Sequence, residues 1–270
     1  MAQEKLYHYL IHIQYLGFRY HGWQKQSGVK TIEGMVEKTL GFILEASGEN
    51  SGFRILGTSR TDSKVSANHS AFMLFVREPL DMQVLQSKLN INLPNDIRVT
   101  GVEEKSRTFN IIRSPKVKEY FYLFACGCKS HPFCAAMMHT VQEDLDIELM
   151  KQGARLFEGR HHFGSYCTKP GPKTCLERDI HVCRIEENTE FKASFFPEKS
   201  WLLRIQASGF LRYQVRLIMG QLFKLGKKDI DLNRIKQSLT GIQALPLKEI
   251  APGSGLILNK IVFRNTSEQK

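Results

Sequence analysis

The order of apolar patterns in the N-terminal part of this chain constrains its fold more than any other feature. Apolar residues alternate with polar ones over 7–15, which predicts a half-buried strand. A helical pattern then starts after Thr31, whose hydroxyl can cap the helix. The next patterns predict strands near 53–58 and 69–76, a helix near 81–91 and a strand near 97–104. Together they give the β-α-β-β-α-β order of a ferredoxin-like subdomain.

The rest of the chain repeats this alternation more loosely. It predicts strands near 118–126, 180–186, 200–207 and 256–264 and helices near 144–158, 210–225 and 231–239. We therefore expect an α+β fold with a central mixed, mostly antiparallel sheet and flanking helices. A chain of 270 residues can form two such halves, and we divide it into an N-terminal subdomain, 1–107, and a C-terminal subdomain, 108–270.

The charge balance indicates the class of partner. The chain has 38 Lys and Arg against 27 Asp and Glu, a net charge of +11 that suits a polyanion such as RNA. A solvated basic surface without a partner would give the same balance. The N-terminus has no signal-peptide pattern and no apolar run reaches membrane-spanning length, so we expect a soluble, cytoplasmic protein.

The six cysteines fit free thiols in a reducing compartment better than a disulfide framework. Cys126, Cys128 and Cys134 lie close in sequence to His131 and His139, and such residues can bind zinc. The cluster lacks a Cys-x-x-Cys pair, so ordinary structural thiols are the preferred interpretation and no metal site is predicted.

The segment Arg60-Thr61-Asp62 is the strongest candidate for chemistry. It lies between two apolar runs that predict strands, so its carboxylate should be held in a loop where it can meet a ligand. The same residue types also suit a turn in which Asp62 only hydrogen-bonds nearby backbone. The order of the other motifs decides between these readings.

Those motifs follow one another along nearly the whole chain. In the N-terminal part they are Tyr15, Gly17, Tyr20, Gly22, Trp23, Gln24 and Gln26, then Thr31-Ile32-Glu33-Gly34 with Glu37, the Arg60-Thr61-Asp62 loop, and Leu93-Pro94-Asn95-Asp96-Ile97. Further on they are Phe109-Asn110, Lys116, Tyr120-Phe121-Tyr122, Gly159-Arg160-His161-His162-Phe163, Gly209-Phe210-Leu211-Arg212, Arg216, Gly220, Ala251-Pro252 and Gly255-Leu256. In their types and order these residues resemble the TruA-type tRNA pseudouridine synthases.

The resemblance implies a fold and an activity. The fold would be the pseudouridine synthase fold, in which two ferredoxin-like, RRM-like subdomains share a central sheet and flank the active-site cleft. The activity would be isomerisation of uridine to pseudouridine on the 3′ side of the anticodon stem-loop of tRNA, by a homodimer that needs no cofactor. In this family the aspartate matched by Asp62 is essential, and it either attacks C1′ of the ribose or removes a sugar proton.

The resemblance also implies roles for other residues. Tyr120 would stack on the uracil, although an interior strand aromatic would look the same. Arg216 would pair with Asp62, and with Arg212, Gly220 and Lys224 it recurs at four-residue spacing, which predicts one helix face. The expected RNA and substrate contacts are Arg60 at the flipped nucleotide, Leu256 beside the base, and Arg212 and Lys116.

Several positions depart from the family pattern. Lys64 stands in a glycine position and would be strained if its φ is positive. Leu16, Ile112, Ser208 and Gln214 also differ from the family residues, and several of these positions could touch RNA and not the reacting base. Two alternatives stay open: the same chemistry on another RNA, and an RNA-binding protein without activity.

Overall fold

The computed structural model describes residues 6–46, 52–241 and 247–263. The chain forms two compact units. The first contains the residues up to Lys116 together with those from Leu258 onward, and the second spans Val117–Ile257.

The first unit has the predicted β-α-β-β-α-β order. Its elements are β1 (Tyr7–Tyr15), α1 (Ile32–Ala46), β2 (Phe53–Gly57), β3 (Ser66–Val76), α2 (Met82–Asn92) and β4 (Ile97–Glu104). Strand β1 pairs antiparallel with β3 and with β4, and β2 pairs antiparallel with β3. The resulting strand order, β4-β1-β3-β2, confirms the prediction of a ferredoxin-like subdomain.

Apolar periodicity explains this packing. Alternate residues of β1, namely Tyr9, Ile11, Ile13 and Tyr15, are buried, as are Ile32, Val36, Leu40, Ile43 and Leu44 of α1. On β1 the intervening Leu10 joins a separate cluster with Ala71, Met73 and Ile111. Because residues on both faces of β1 are buried, this strand lies at the centre of the unit.

The second unit supplies the remaining helices and most of the remaining strands. They are β5 (Pro115–Cys126), β6 (His139–Val141), α3 (Ile147–Arg155), β7 (Gly159–His162), β8 (Glu177–Glu187), β9 (Trp201–Ala207), α4 (Gln214–Gly226) and α5 (Leu232–Ser238). The last strand, β10 (Leu256–Phe263), belongs to the first unit from Leu258 onward. Antiparallel pairing gives the order β5-β9-β8-β7, and β6 runs parallel to β5. This confirms the predicted α+β fold with mixed, mostly antiparallel pairing.

Two details of the second unit differ from the sequence prediction. The short strands β6 and β7 were not predicted, because three or four partly polar residues carry no usable alternation. Helix α4 begins at Gln214 instead of near 210, because Tyr213 has a left-handed backbone conformation with φ of 63°. None of the helices in the described ranges has the length and apolarity required to cross a lipid bilayer.

Candidate active site

The candidate aspartate lies in the connection between β2 and β3 of the first unit. At the start of this loop the amide of Thr58 donates to the carbonyl oxygen of Ala71 at 3.1 Å, and its hydroxyl donates to the carbonyl oxygen of Ile111 at 3.3 Å. Thr58 and Ser59 are buried, whereas Arg60 is exposed. The two hydrogen bonds of Thr58 therefore fix the direction in which the loop runs away from the sheet.

Thr61 anchors the centre of the loop. Its hydroxyl lies 2.8 Å from the hydroxyl of Tyr15, and both residues are buried. Its carbonyl oxygen accepts a hydrogen bond from the amide of Trp23 at 3.0 Å. A Cβ at Gly22 would lie 2.6 Å from that same carbonyl oxygen, so the close approach needs a glycine. These contacts explain why Tyr15, Gly22 and Trp23 accompany the Arg-Thr-Asp segment in the sequence.

Asp62 itself is half-buried and begins a turn. Its carbonyl oxygen accepts from the amide of Val65 at 3.2 Å, and Lys64 within the turn has φ of 65°. Lys64 is therefore strained, because its positive φ is a backbone conformation that glycine adopts easily and lysine does not. The carboxylate is carried by a backbone that has few alternative conformations.

Two of the candidate cations, Arg212 and Arg216, belong to the second unit. Arg212 precedes α4, so the prediction that it shares a helix face with Arg216 is wrong. Instead, the left-handed residue Tyr213 lies between them, with the guanidinium carbons of Arg212 and Arg216 at 5.4 Å and 5.0 Å from its ring centroid. This is cation–π geometry, which gathers the two arginines around one ring.

The other three residues of the predicted set do share a face of α4. Arg216 Nε donates to the carbonyl oxygen of Ala251 at 2.7 Å, and Lys224 pairs with Glu249 at 2.7 Å. A Cβ on Gly220 would overlap the carbonyl oxygen of Glu249. Gly220 thus permits close packing of α4 against the segment 249–251.

Tyr120 is half-buried on β5, where it pairs with Ile205 of β9. Its ring meets the ring of Phe210 edge to face, with centroids 5.3 Å apart. Lys118 lies two residues earlier on the same face of β5 and was not among the predicted site residues. Burial lowers the pKa of Lys118 to about 8. The two-residue spacing places Lys118 on the face of Tyr120, but it does not predict that burial.

Two further candidates have less specific surroundings. Leu256 is buried at the start of β10, directly after the turn at 253–255, and Lys116 is exposed on β5. Within the units, Arg60, Asp62 and Lys116 belong to the first, and Tyr120, Arg212, Arg216 and Leu256 to the second. The predicted pairing of Asp62 with Arg216 stays a prediction.

The cysteines are all free thiols, as expected. Burial raises the pKa of Cys134, whose Sγ lies 3.4 Å from the carbonyl oxygen of Phe195. Across the residues the structure describes, no three His, Cys, Asp or Glu side chains are grouped so that they could hold a metal ion.

Comparison with known proteins links this geometry to a family. The sequence profile of a family described as tRNA pseudouridine synthase matches residues 154–264. The chain is 30% identical to tRNA pseudouridine synthase A 2 of Bacillus cereus strain ZK / E33L over 256 residues, which cover 94% of this chain and 99% of that one.

A more distant relative gives the same result. Identity to tRNA pseudouridine synthase A of Thermodesulfovibrio yellowstonii is 28% over 253 residues, or 93% of this chain and 97% of the relative. The similarity therefore extends over both compact units. As its motif order predicted, this chain belongs to the TruA-type family, the tRNA pseudouridine synthase A family.

Proposed function

We propose that this protein is an isomerase that converts uridine to pseudouridine in the anticodon stem-loop of tRNA, on its 3′ side, with Asp62 as the essential carboxylate. The observation that carries the proposal is the half-buried Asp62 in a loop fixed by Tyr15, Gly22 and Trp23, in a chain of this family. Such a loop provides a preorganised carboxylate, which is what reaction at a ribose requires.

The reaction is a rearrangement with no change of oxidation state. The bond between C1′ and N1 breaks, the uracil rotates, and C5 forms a new bond to C1′. The proton on C5 then leaves and N1 gains a proton, so atoms and electrons balance without a cofactor. Asp62 either bonds to C1′ or removes a sugar proton, and it must be ionised for both roles.

We assign the remaining predicted residues to three tasks. Arg216 pairs with Asp62, favouring its charged form and fixing its orientation. Tyr120 and Leu256 enclose the uracil, with the tyrosine hydroxyl placed to help remove the C5 proton. Arg60 stabilises the flipped nucleotide, while Lys116 and Arg212 contact RNA phosphates. The net charge of +11 supports a polyanionic substrate. We also propose that the enzyme acts as a cytoplasmic homodimer, as the resemblance implies.

Replacing Asp62 with asparagine tests the central assignment. The change keeps the size of the side chain but removes its charge, so RNA affinity should persist while catalysis is lost. Turnover would be followed by tritium release from tRNA labelled at uracil C5, beside a binding titration on the same preparation. Glu78→Gln removes an exposed carboxylate from the same unit and should remain active.

The outcomes separate the candidate functions. Substantial tritium release by Asp62→Asn would refute the proposed role of that carboxylate. Release from other cellular RNAs, but not from tRNA, would favour the same chemistry on a different substrate. Binding without release from any RNA by the unmodified protein would favour an inactive RNA-binding protein.

A further inference from the structure

The turn that follows Asp62 is joined to the loop after β1 by several hydrogen bonds. The carbonyl oxygen of Tyr20 accepts from the amide of Lys64 at 3.0 Å and from the hydroxyl of Ser63 at 3.4 Å. The amide of Gly17 donates to the hydroxyl of Ser66 at 2.9 Å. A Cβ at Gly17 would overlap the carbonyl oxygen of Val65. The loop after β1 (residues 16–20) and the turn at residues 62–66 thus form one rigid surface, which we call the ledge.

Asp96 fixes the outer end of this ledge. Its carboxylate accepts from the hydroxyl of Tyr20 at 2.7 Å and from the guanidinium of Arg19 at 2.9 Å, and its carbonyl oxygen accepts from the amide of Leu16 at 2.9 Å. Since Arg19 is already paired and Tyr20 is buried, neither side chain is available to a ligand without breaking these bonds.

Phe18 and Lys64 project from the ledge together. The Phe18 side chain is 39% exposed, and the ammonium of Lys64 lies 5.6 Å from its ring centroid. Lys64 is itself exposed. A cation beside an exposed aromatic face is a common arrangement for single-stranded nucleic acid, because the ring stacks on a base while the cation meets a phosphate.

The backbone of Lys64 is strained by its positive φ. A left-handed conformation is unfavourable for a non-glycine residue, and glycine would relieve that strain. Strain alone assigns nothing, because Lys228 has φ of 64° and pairs with Asp146 at 3.3 Å. What distinguishes Lys64 is its place in the turn that starts at Asp62 and its contact with Phe18.

We propose that Phe18 and Lys64 form a nucleotide-binding site on this ledge, where Phe18 stacks on a base next to the reacting uridine and Lys64 contacts a backbone phosphate. The inference rests on the proposed function, since it places this site beside the carboxylate that acts on the ribose. The site would hold the strand after the target nucleotide leaves its stack.

Salt dependence of RNA binding tests the lysine. Lys64→Met keeps most of the side-chain length and removes the charge, so the slope of log affinity against log salt should fall by about one. Lys64→Arg should keep the slope. Lys64→Gly should lose the same phosphate contact while gaining thermal stability from relief of strain.

Lys228→Gly is the matched control, because it replaces the same residue type in the same conformation in the other unit. It should leave the salt slope unchanged. Phe18→Leu tests the stacking contact and should weaken binding roughly tenfold without altering the slope.

The two proposals fail in different ways. An unchanged slope in Lys64→Met, or an equal loss in Lys228→Gly, overturns the nucleotide site even if tritium release is normal. Binding by the unmodified protein without tritium release overturns the proposed function, and the slopes still decide the role of Lys64. No RNA binding at all overturns both.

Discussion

Arg216 and Ala251 are joined by two hydrogen bonds in opposite directions. Arg216 Nε donates to the carbonyl oxygen of Ala251 at 2.7 Å, and the amide of Ala251 donates to the carbonyl oxygen of Arg216 at 3.1 Å. Tyr213 contacts the guanidinium from another side. A long side chain that would otherwise sample many rotamers is thereby held in one orientation.

Arg216→Ala should impair conversion even with saturating tRNA, because Asp62 would lose the cation that we propose orients it. The lost bond to the buried Ala251 should also cost about 1 kcal/mol of unfolding free energy. Arg216→Lys should recover only part of the rate, because an ammonium lacks the planar donors. Single-turnover rates measure the first effect, and an unchanged rate in Arg216→Ala would exclude the pairing.

Gly22→Ala should disturb the Asp62 loop. Gly22 has φ of 93°, and an added Cβ would meet the carbonyl oxygen of Thr61 at 2.6 Å. Gly28→Ala is the control. Its φ of 76° brings the same kind of backbone strain, but an added Cβ there would have no atom within 4 Å. Tritium release should fall in Gly22→Ala and persist in Gly28→Ala. Equal rates would mean that the close approach does not matter for turnover.

Gly220→Ala should loosen the packing of α4 on the segment 249–251. Its Cβ would overlap the backbone of Glu249, so we expect a loss of roughly 2 kcal/mol in unfolding free energy. Gly41→Ala, in α1, has no atom within 4 Å of the new Cβ and should instead stabilise by about 0.5–1 kcal/mol. Chemical denaturation compares the two, and effects of the same sign would contradict the packing argument.

The His12–His69 pair should make stability depend on pH. The amide of Ile261 donates to His69 Nδ1 at 3.3 Å, so the proton of neutral His69 is on Nε2, which lies 3.0 Å from His12 Nδ1. His12 Nε2 then donates to Glu103 at 2.7 Å. Burial, followed by the charges of His12 and Lys260, lowers the pKa of His69.

The folded state resists protonation of His69. As pH falls below the ordinary histidine pKa of about 6.5, the unfolded state therefore binds more protons than the folded state. Stability should therefore be complete above that pH and decrease below it. Burial also lowers the pKa of His8 and of His139, which adds to the trend. Denaturation at several pH values should show a weaker dependence in His69→Gln than in the exposed control His181→Gln.

The sequence predicted this fold well wherever apolar periodicity was long. Strand β4 was placed at its observed bounds, and α1 begins immediately after Thr31. The start of α4 could not be predicted, because Phe210–Tyr213 continue its apolar pattern and only the positive φ of Tyr213 excludes them from the helix. Apolar periodicity indicates which residues are buried, but it does not indicate that one residue has a left-handed backbone conformation.

The candidate site was predicted from motifs, and its supporting contacts were not. Motif order singled out Asp62, yet nothing in the sequence indicates that Thr61 would bond Tyr15 or that Lys118 would be buried enough to lower its pKa. Such contacts depend on residues distant in the chain. Lys64 is the exception, because glycine at that position of the motif already indicated a positive φ.

The packing of Trp23 gives the protein a natural optical probe. Of its two tryptophans, Trp23 is 1% exposed with its ring against Gly57, whereas Trp201 is only partly buried and contacts Lys151. The amide of Trp23 is bonded to Thr61, directly before Asp62. A Trp201→Phe variant would therefore emit only from the indole beside the aspartate loop, so its fluorescence could follow RNA docking in real time without an attached dye.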